Sequence, residues 1–113
     1  MGQTITLCFK DFELKAELFD TETARNFVSG LPYKIELTQW GNEVYGSIGI
    51  DLGAENPVSE IPPGGIAYTN RGNYVCVFFG QSPAWPVEYI GRIPDYGWKK
   101  LLDAKGLDSV LIE

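Results

Sequence analysis

Trp40, Tyr45, Tyr68 and Trp85 offer large rings with an apolar body and a polar edge. Side chains of this kind wall pockets for a proline ring, a peptide or a small ligand. Packing inside a β-structure is the ordinary use of each one alone. Trp85 stands apart because it lies in Ser82-Pro83-Ala84-Trp85-Pro86, a proline-flanked loop where its bulk has no evident core role. Two carboxylate pairs, Asp51 with Glu55 and Glu36 with Glu43, have the composition of an acid/base couple. No spacing singles out either pair, and a solvated edge is the expectation for both. The chain has no histidine, which removes every Ser-His and Cys-His nucleophile system. A structural zinc site would then need four Cys or carboxylate ligands, and Cys8 and Cys76 cannot supply the thiols. Both cysteines fall in apolar alternating segments and are expected to be buried free thiols acting as small hydrophobes. No residue is assigned a catalytic role, and neither a metal nor a cofactor is expected.

The elements that must position these residues belong to one domain, since 113 residues leave little room for two. Fifteen acidic residues against nine basic ones give a net charge of −6. That field repels a phosphate backbone, and Lys99-Lys100 is the densest basic pair, so no nucleic-acid partner is expected. The longest apolar run, Tyr74 to Phe79, is far too short to span a bilayer. No basic segment followed by an apolar one opens the chain. A cytoplasmic location with no membrane partner is the expectation.

Ile5, Leu7 and Phe9 alternate with polar residues, and Phe12, Leu14, Ala16 and Leu18 do so again after Lys10-Asp11, which predicts a hairpin. The period then changes. Asp20-Thr21 offers an N-cap, with Asp20 the expected acceptor, and Ala24, Phe27, Val28 and Leu31 share one helical face before Pro32. Ile35 to Trp40 and Glu43 to Tyr45 flank Gly41-Asn42 as a second hairpin. Residues 47–64 break regular structure with Asn56-Pro57 and Pro62-Pro63-Gly64-Gly65. Strands follow at Ile66 and Tyr68, at Tyr74 to Phe79, and at Val87 to Arg92. The second of these is apolar at every position and is expected to be buried on both faces. Asp95 is expected to cap a second short helix that carries Trp98, Leu101 and Leu102 on one side, ends near Lys105 and Gly106, and precedes a last strand at Val110 to Ile112. About eight strands and two short helices predict a mainly β protein, most economically a closed β-barrel with its ends capped by the helices.

Several motifs in this order resemble a known family. Glu17-Leu18-Phe19 followed by Thr23-Ala24-Arg25-Asn26-Phe27 is similar to the start of cyclophilins, and Gly65-Ile66-Ala67-Tyr68-Thr69-Asn70 resembles their strand before a glycine- and asparagine-rich loop. Trp40-Gly41-Asn42-Glu43-Val44-Tyr45, Glu55-Asn56-Pro57, Phe78-Phe79-Gly80-Gln81-Ser82-Pro83 and Tyr89-Ile90-Gly91-Arg92-Ile93 look like the small prokaryotic cyclophilin-like proteins of unassigned function. The resemblance implies a closed eight-stranded cyclophilin-like barrel with two short capping helices.

Cyclophilins catalyse cis/trans isomerisation of X-Pro bonds with an arginine on the third strand. The matching hairpin here, from Tyr33 to Gly49, holds Lys34 as its one cation. The family's Phe-His-Arg motif has no counterpart. Ungapped matching puts Val75 and Val77 where active members carry Gln and Phe, and Trp85 on the groove tryptophan. Arg71 lies in the Asn70–Asn73 turn, which in cyclophilins borders the groove, and its guanidinium is a candidate to bind a carbonyl or carboxylate from the loop. An exposed turn arginine is the alternative. Arg92 is expected to be structural and Arg25 to lie on the outer side of the first helix. The first functional expectation is therefore a non-catalytic module whose groove, with Arg71, Trp85, Tyr45, Tyr68 and Trp40, binds a small molecule or a proline-containing peptide. The second is a weak or rearranged peptidyl-prolyl isomerase in which Arg71 replaces the missing arginine. The third is a homodimeric interaction protein. Related barrels also occur fused to amide-processing enzyme subunits, which adds a role beside a partner enzyme.

Overall fold

The computed structural model describes residues 3–104 and 107–113. The opening alternation forms the expected hairpin. β1 (Thr4–Cys8) and β2 (Glu13–Leu18) pair antiparallel, with Ile5 opposite Ala16 and Leu7 opposite Leu14. These four side chains are buried, because a strand places every second residue on the same face. The other parity faces out, so Cys8 is half-buried and only Cys76 is a buried thiol. Their strands are not neighbours in the sheet, and both cysteines are free.

Helix α1 (Glu22–Ser29) buries Ala24 and Phe27. Its cap is Thr21 rather than Asp20: the Ala24 amide donates to Thr21 Oγ1 at 3.2 Å, while the Asp20 carboxylate turns to the Arg25 guanidinium at 2.7 Å. Gly30 closes the helix, which leaves Leu31 beyond its end.

Seven further strands follow: β3 (Tyr33–Glu36), β4 (Thr38–Gln39), β5 (Glu43–Ser47), β6 (Gly65–Thr69), β7 (Tyr74–Phe78), β8 (Glu88–Arg92) and β9 (Ser109–Ile112). All nine lie in one antiparallel sheet, in the order β3-β9-β1-β2-β8-β6-β7-β5-β4. The expectation of eight strands differs by one because the segment from Ile35 to Trp40 breaks at Leu37. Before the break, β3 pairs with β9; after it, β4 pairs with β5. The Leu37 amide donates to the Asp108 carbonyl at 2.8 Å instead of to a ladder partner. The two outer strands of the sheet are thus joined by a single residue, and the sheet curls into a nearly closed barrel.

Such a corner needs backbone to pass close to backbone. At Gly46 of β5, a Cβ would stand 2.1 Å from the Glu36 carbonyl oxygen and 2.4 Å from Ile35 Cγ2. A residue without a side chain is what allows β5 to cross there.

The barrel is filled. Leu7, Phe9, Ile35, Val44, Val75 and Val77 are buried together inside it. The void they leave is about 10 Å³, at the lower limit for one water molecule. A ligand site must therefore lie outside the barrel.

The second helical segment differs from the expectation. Asp95 and Tyr96 both have φ of 58°, and no side chain caps the turn. A capping residue needs extended backbone, which Asp95 lacks. A 3₁₀ turn at Gly97–Lys99 runs into α2 (Lys100–Asp103), which buries Leu101 and leaves Leu102 48% exposed. Adjacent helical residues lie about 100° apart, so the two leucines cannot share a face. The helix end expected at Lys105 and Gly106 falls outside the described residues.

Gly46→Ala is expected to destabilise the protein by about 1–3 kcal/mol, the usual cost of forcing a group into a packed site. Urea unfolding monitored by far-UV circular dichroism measures it. An unchanged midpoint would show that the corner has room.

Candidate functional site

The same period that fills the barrel puts the opposite parity of β5, β6 and β7 on its outer surface. Tyr45 lies opposite Cys76, and Cys76 opposite Ala67; Glu43 lies opposite Phe78, and Tyr74 opposite Thr69. This outer face is not open to water. Ile61 and Val87 are buried against Ala67, Cys76 and Phe78, and Val58, Tyr74 and Trp85 pack around them as a second hydrophobic cluster. The expectation that the Tyr74 to Phe79 segment is buried on both faces holds: Val75, Val77 and Phe79 face the barrel interior, Cys76 and Phe78 the outer cluster.

The covering segments are clamped by polar contacts. Buried Glu88 accepts hydrogen bonds from the amides of Glu55 and, at 2.8 Å, Asn56. The Glu55 carboxylate in turn accepts from the Thr23 amide at 2.9 Å and the Thr23 hydroxyl at 3.1 Å. The Glu-Asn-Pro loop and the start of α1 are thereby one cluster. On the other side, Gln81 Oε1 accepts from the Asn42 amide at 2.7 Å, and the Phe79 amide donates to the Asn42 carbonyl at 2.8 Å. These contacts fix the Trp40 turn beside the loop that carries Pro83 and Trp85.

Between the covers remains a cleft of about 330 Å³, at the small end of ligand sites. Trp40, Tyr45, Tyr74 and Trp85 are its aromatic walls, and Phe78, Cys76 and Glu43 also line it. Tyr45 and Tyr74 meet edge to face, with ring centroids 5.2 Å apart. Trp85 is held in place: its Nε1–H donates to Thr69 Oγ1 at 3.1 Å, and the Arg71 guanidinium lies 4.3 Å over its ring. A smaller recess of about 190 Å³, bordered by Arg71, Asn70 and Pro57, lies beyond Trp85.

The structure brings three of the five expected site residues, Trp40, Tyr45 and Trp85, to one cleft. Arg71 lines the smaller recess instead and stacks on Trp85. Tyr68 has the parity of Ile66, so its ring is fully buried among the barrel residues, and it also borders the smaller recess with Arg71 and Trp85. Its hydroxyl accepts from the Leu52 amide at 2.9 Å and reaches the Ile50 carbonyl at 2.8 Å, which anchors the start of the long excursion. Arg25 is exposed on α1, and Arg92 pairs with Glu17 across β2 and β8 at 3.1 Å. The two carboxylate pairs do not form couples. Glu36 is exposed on β3, whereas Glu43 is buried. Asp51 accepts from the Gly53 amide at 2.8 Å, and Glu55 serves Thr23.

Glu43 is the site residue that the sequence conceals. Burial pushes its carboxyl up to about 7, opposed by a hydrogen bond from the Cys76 thiol. The thiol is itself pushed up, first by burial and then by the Glu43 charge. Cys76 is therefore a protonated, unreactive thiol at neutral pH. The one signal for Glu43 is its parity with Tyr45 on the strand.

A family model described as Cyclophilin-like matches residues 3–113. The solution structure of the hypothetical protein AF2241 from Archaeoglobus fulgidus superposes with a TM-score of 0.81 at 29% identity, over 99% of this chain and 94% of that one. The structure of McbB in complex with tryptophan superposes with a TM-score of 0.80 at 17% identity, over 96% of this chain and 44% of McbB. No curated protein matches the chain.

The raised Glu43 carboxyl sets a pH dependence. Between about 4.5 and about 7 the folded state keeps a proton that the unfolded chain has released. Stability from this group is therefore full below that window, falls as pH rises through it and is level above it. Glu43→Gln cannot ionise and escapes the loss. The variant is expected to gain on the wild type by up to about 3 kcal/mol from pH 4.5 to pH 8, at about 1.4 kcal/mol per tenfold change in proton affinity. Urea unfolding of both proteins across that range measures the difference. A constant difference would show that Glu43 ionises as an ordinary surface carboxylate.

Proposed function

From the premise that this chain belongs to the Cyclophilin-like family, we propose that it is a binding module whose outer cleft receives the apolar ring of a small molecule or of a proline-containing peptide. The observation that carries this reading is the cleft itself: Trp40, Tyr45, Tyr74 and Trp85 surround a space of about 330 Å³ beside a barrel whose interior is filled. Trp85 needs no ligand to hold its place, because Thr69 and Arg71 already fix it. A wall set in advance lowers the ordering cost of binding.

The lining favours binding over isomerisation. Twisting an amide calls for a donor placed before the reaction. Among the described residues no Lys or Arg lines the cleft, and Arg71 spends its guanidinium face on Trp85.

A blocked Ala-Pro peptide and N-acetyltryptophan amide, both uncharged, are suitable probes. Titration of each into isotope-labelled protein is expected to shift the Trp40 and Trp85 indole N–H resonances. Trp85→Ala is expected to weaken binding about tenfold or more, about 1.4 kcal/mol, the scale of one aromatic wall. Exchange spectroscopy on the peptide is expected to show no acceleration of cis/trans interconversion. Acceleration that Arg71→Ala abolishes would replace this reading with an isomerase. Absence of any indole shift at millimolar probe would overturn it.

A further inference from the structure

An apolar ring leaves one feature of the cleft without a purpose. Glu43 is 6% exposed, and its side-chain partner among the described residues is the Cys76 thiol, a weak donor. Buried carboxylates are ordinarily paired with a cation or several strong donors. The ion pairs among the described residues, Arg25 with Asp20 and Arg92 with Glu17, are exposed and elsewhere.

Apart from Arg71, which already lies over the Trp85 ring, the surroundings of Glu43 suit positive charge. Its own strand adds the phenol of Tyr45; β7 adds the phenol of Tyr74 and the Cys76 thiol; β6, the Trp40 turn and the Pro83–Val87 loop add no ionisable group. The faces of the Trp40, Tyr45, Tyr74 and Phe78 rings carry negative potential, and that of Trp85 already meets the Arg71 guanidinium. The chain as a whole carries −6. A neutral ring gains from the walls alone, and an anion is repelled by the floor. A monocation with an apolar body gains from both. A metal ion would want more ligands, and no group of three Cys, Asp or Glu that could hold one exists among the described residues.

Resting on the binding reading above, we propose that the cleft takes a monovalent amine: an ammonium on apolar carbons, with Glu43 as its counterion and the aromatic rings around its carbons. In the empty cleft burial keeps a proton on Glu43 up to about pH 7. An ammonium takes the place of that proton. Amine binding below this pH therefore releases a proton, and affinity rises with pH until Glu43 is ionised.

Piperidinium and tetrahydropyran test this, since they share a six-membered ring and differ in the charged N–H₂⁺ against an ether oxygen. Indole N–H shifts of Trp40 and Trp85 are followed at constant ionic strength. At pH 8 piperidinium is expected to bind about tenfold or more tightly than tetrahydropyran, a ratio worth about 1.4 kcal/mol. Between pH 8 and pH 5.5 its affinity is expected to fall about tenfold or more as Glu43 takes up its proton, while that of tetrahydropyran stays constant. Glu43→Gln, checked for folding by circular dichroism, is expected to lose both the preference and the pH dependence and still take tetrahydropyran. Equal, pH-independent binding of the two rings would overturn the amine proposal and leave the apolar cleft standing. A preference that persists in Glu43→Gln would overturn Glu43 as the counterion. No indole shift with either ring would overturn both readings together.

Discussion

Strand β7 has to be buried on two sides at once. Its run Tyr74-Val75-Cys76-Val77-Phe78 is apolar at every position. A barrel wall can hide one parity only, since the other points away from the axis. Val75 and Val77 go to the filled interior, and Tyr74, Cys76 and Phe78 are left outside needing a cover. The long excursion after β5 and the proline-flanked loop before β8 supply it through Val58, Ile61, Trp85 and Val87. Val58 and Val87 even bridge to each other by backbone hydrogen bonds of 2.8 and 2.9 Å. The cleft is the part of that outer cluster that the cover does not fill.

This arrangement also explains Glu43. A glutamate on the outward face of a β5-like strand would ordinarily be solvated and unperturbed. Here the strand's neighbour is β7, with Phe78 directly across, so the cover that hides Phe78 also takes water away from the carboxyl. Burial pushes both the carboxyl and the Cys76 thiol toward the neutral form; the Glu43 charge adds to the rise of the thiol, whereas the hydrogen bond from the thiol opposes that of the carboxyl. The protonation of the site is thus a consequence of hydrophobic packing, with no basic residue involved.

The barrel was legible in the sequence because its signal is local. Ile5, Leu7, Leu14, Ala16 and Leu18 alternate, and alternation alone places them inside. The double burial of the Tyr74 to Phe79 run was legible for the same reason. The break at Leu37 was not, because it is a change of partner from β9 to β5, and those strands lie at opposite ends of the sheet order. Gly46 was its single local trace. The cleft was half legible. Trp85 in its loop and Trp40 in its turn are bulky where no core is expected, and both reach the cleft. Tyr68 shares the buried parity of Ile66 and borders the smaller recess beside Arg71 and not the main cleft. Glu43 read as a solvated edge because the groups against it, Phe78 across the ladder and the Cys76 thiol, come from a strand more than thirty positions away, and no local pattern encodes that distance. Asp95 fails as a cap because its φ is 58°, and Asp20 because the cap falls one position later, at Thr21, and its carboxylate pairs with Arg25. A capping side chain needs a particular backbone geometry at its own position, and residue type alone does not fix it.

Arg71 and Trp85 hold each other in place at the edge of the cleft. The structure of McbB has the same fold at 17% identity, and fold alone fixes no activity. In this chain the arginine near the groove borders the smaller recess and not the main cleft. It lies on the indole, and Thr69 ties the two together by accepting from both the Trp85 indole and the Arg71 amide, at 3.1 and 3.2 Å. A guanidinium used in this way stabilises a ring's position by a cation–π contact through its face. The cleft is left with one ionisable group that changes charge near neutral pH, Glu43, and with a Trp85 wall held by Thr69 and Arg71. A fixed Trp85 wall and a buried carboxyl are the features on which the proposed binding role rests.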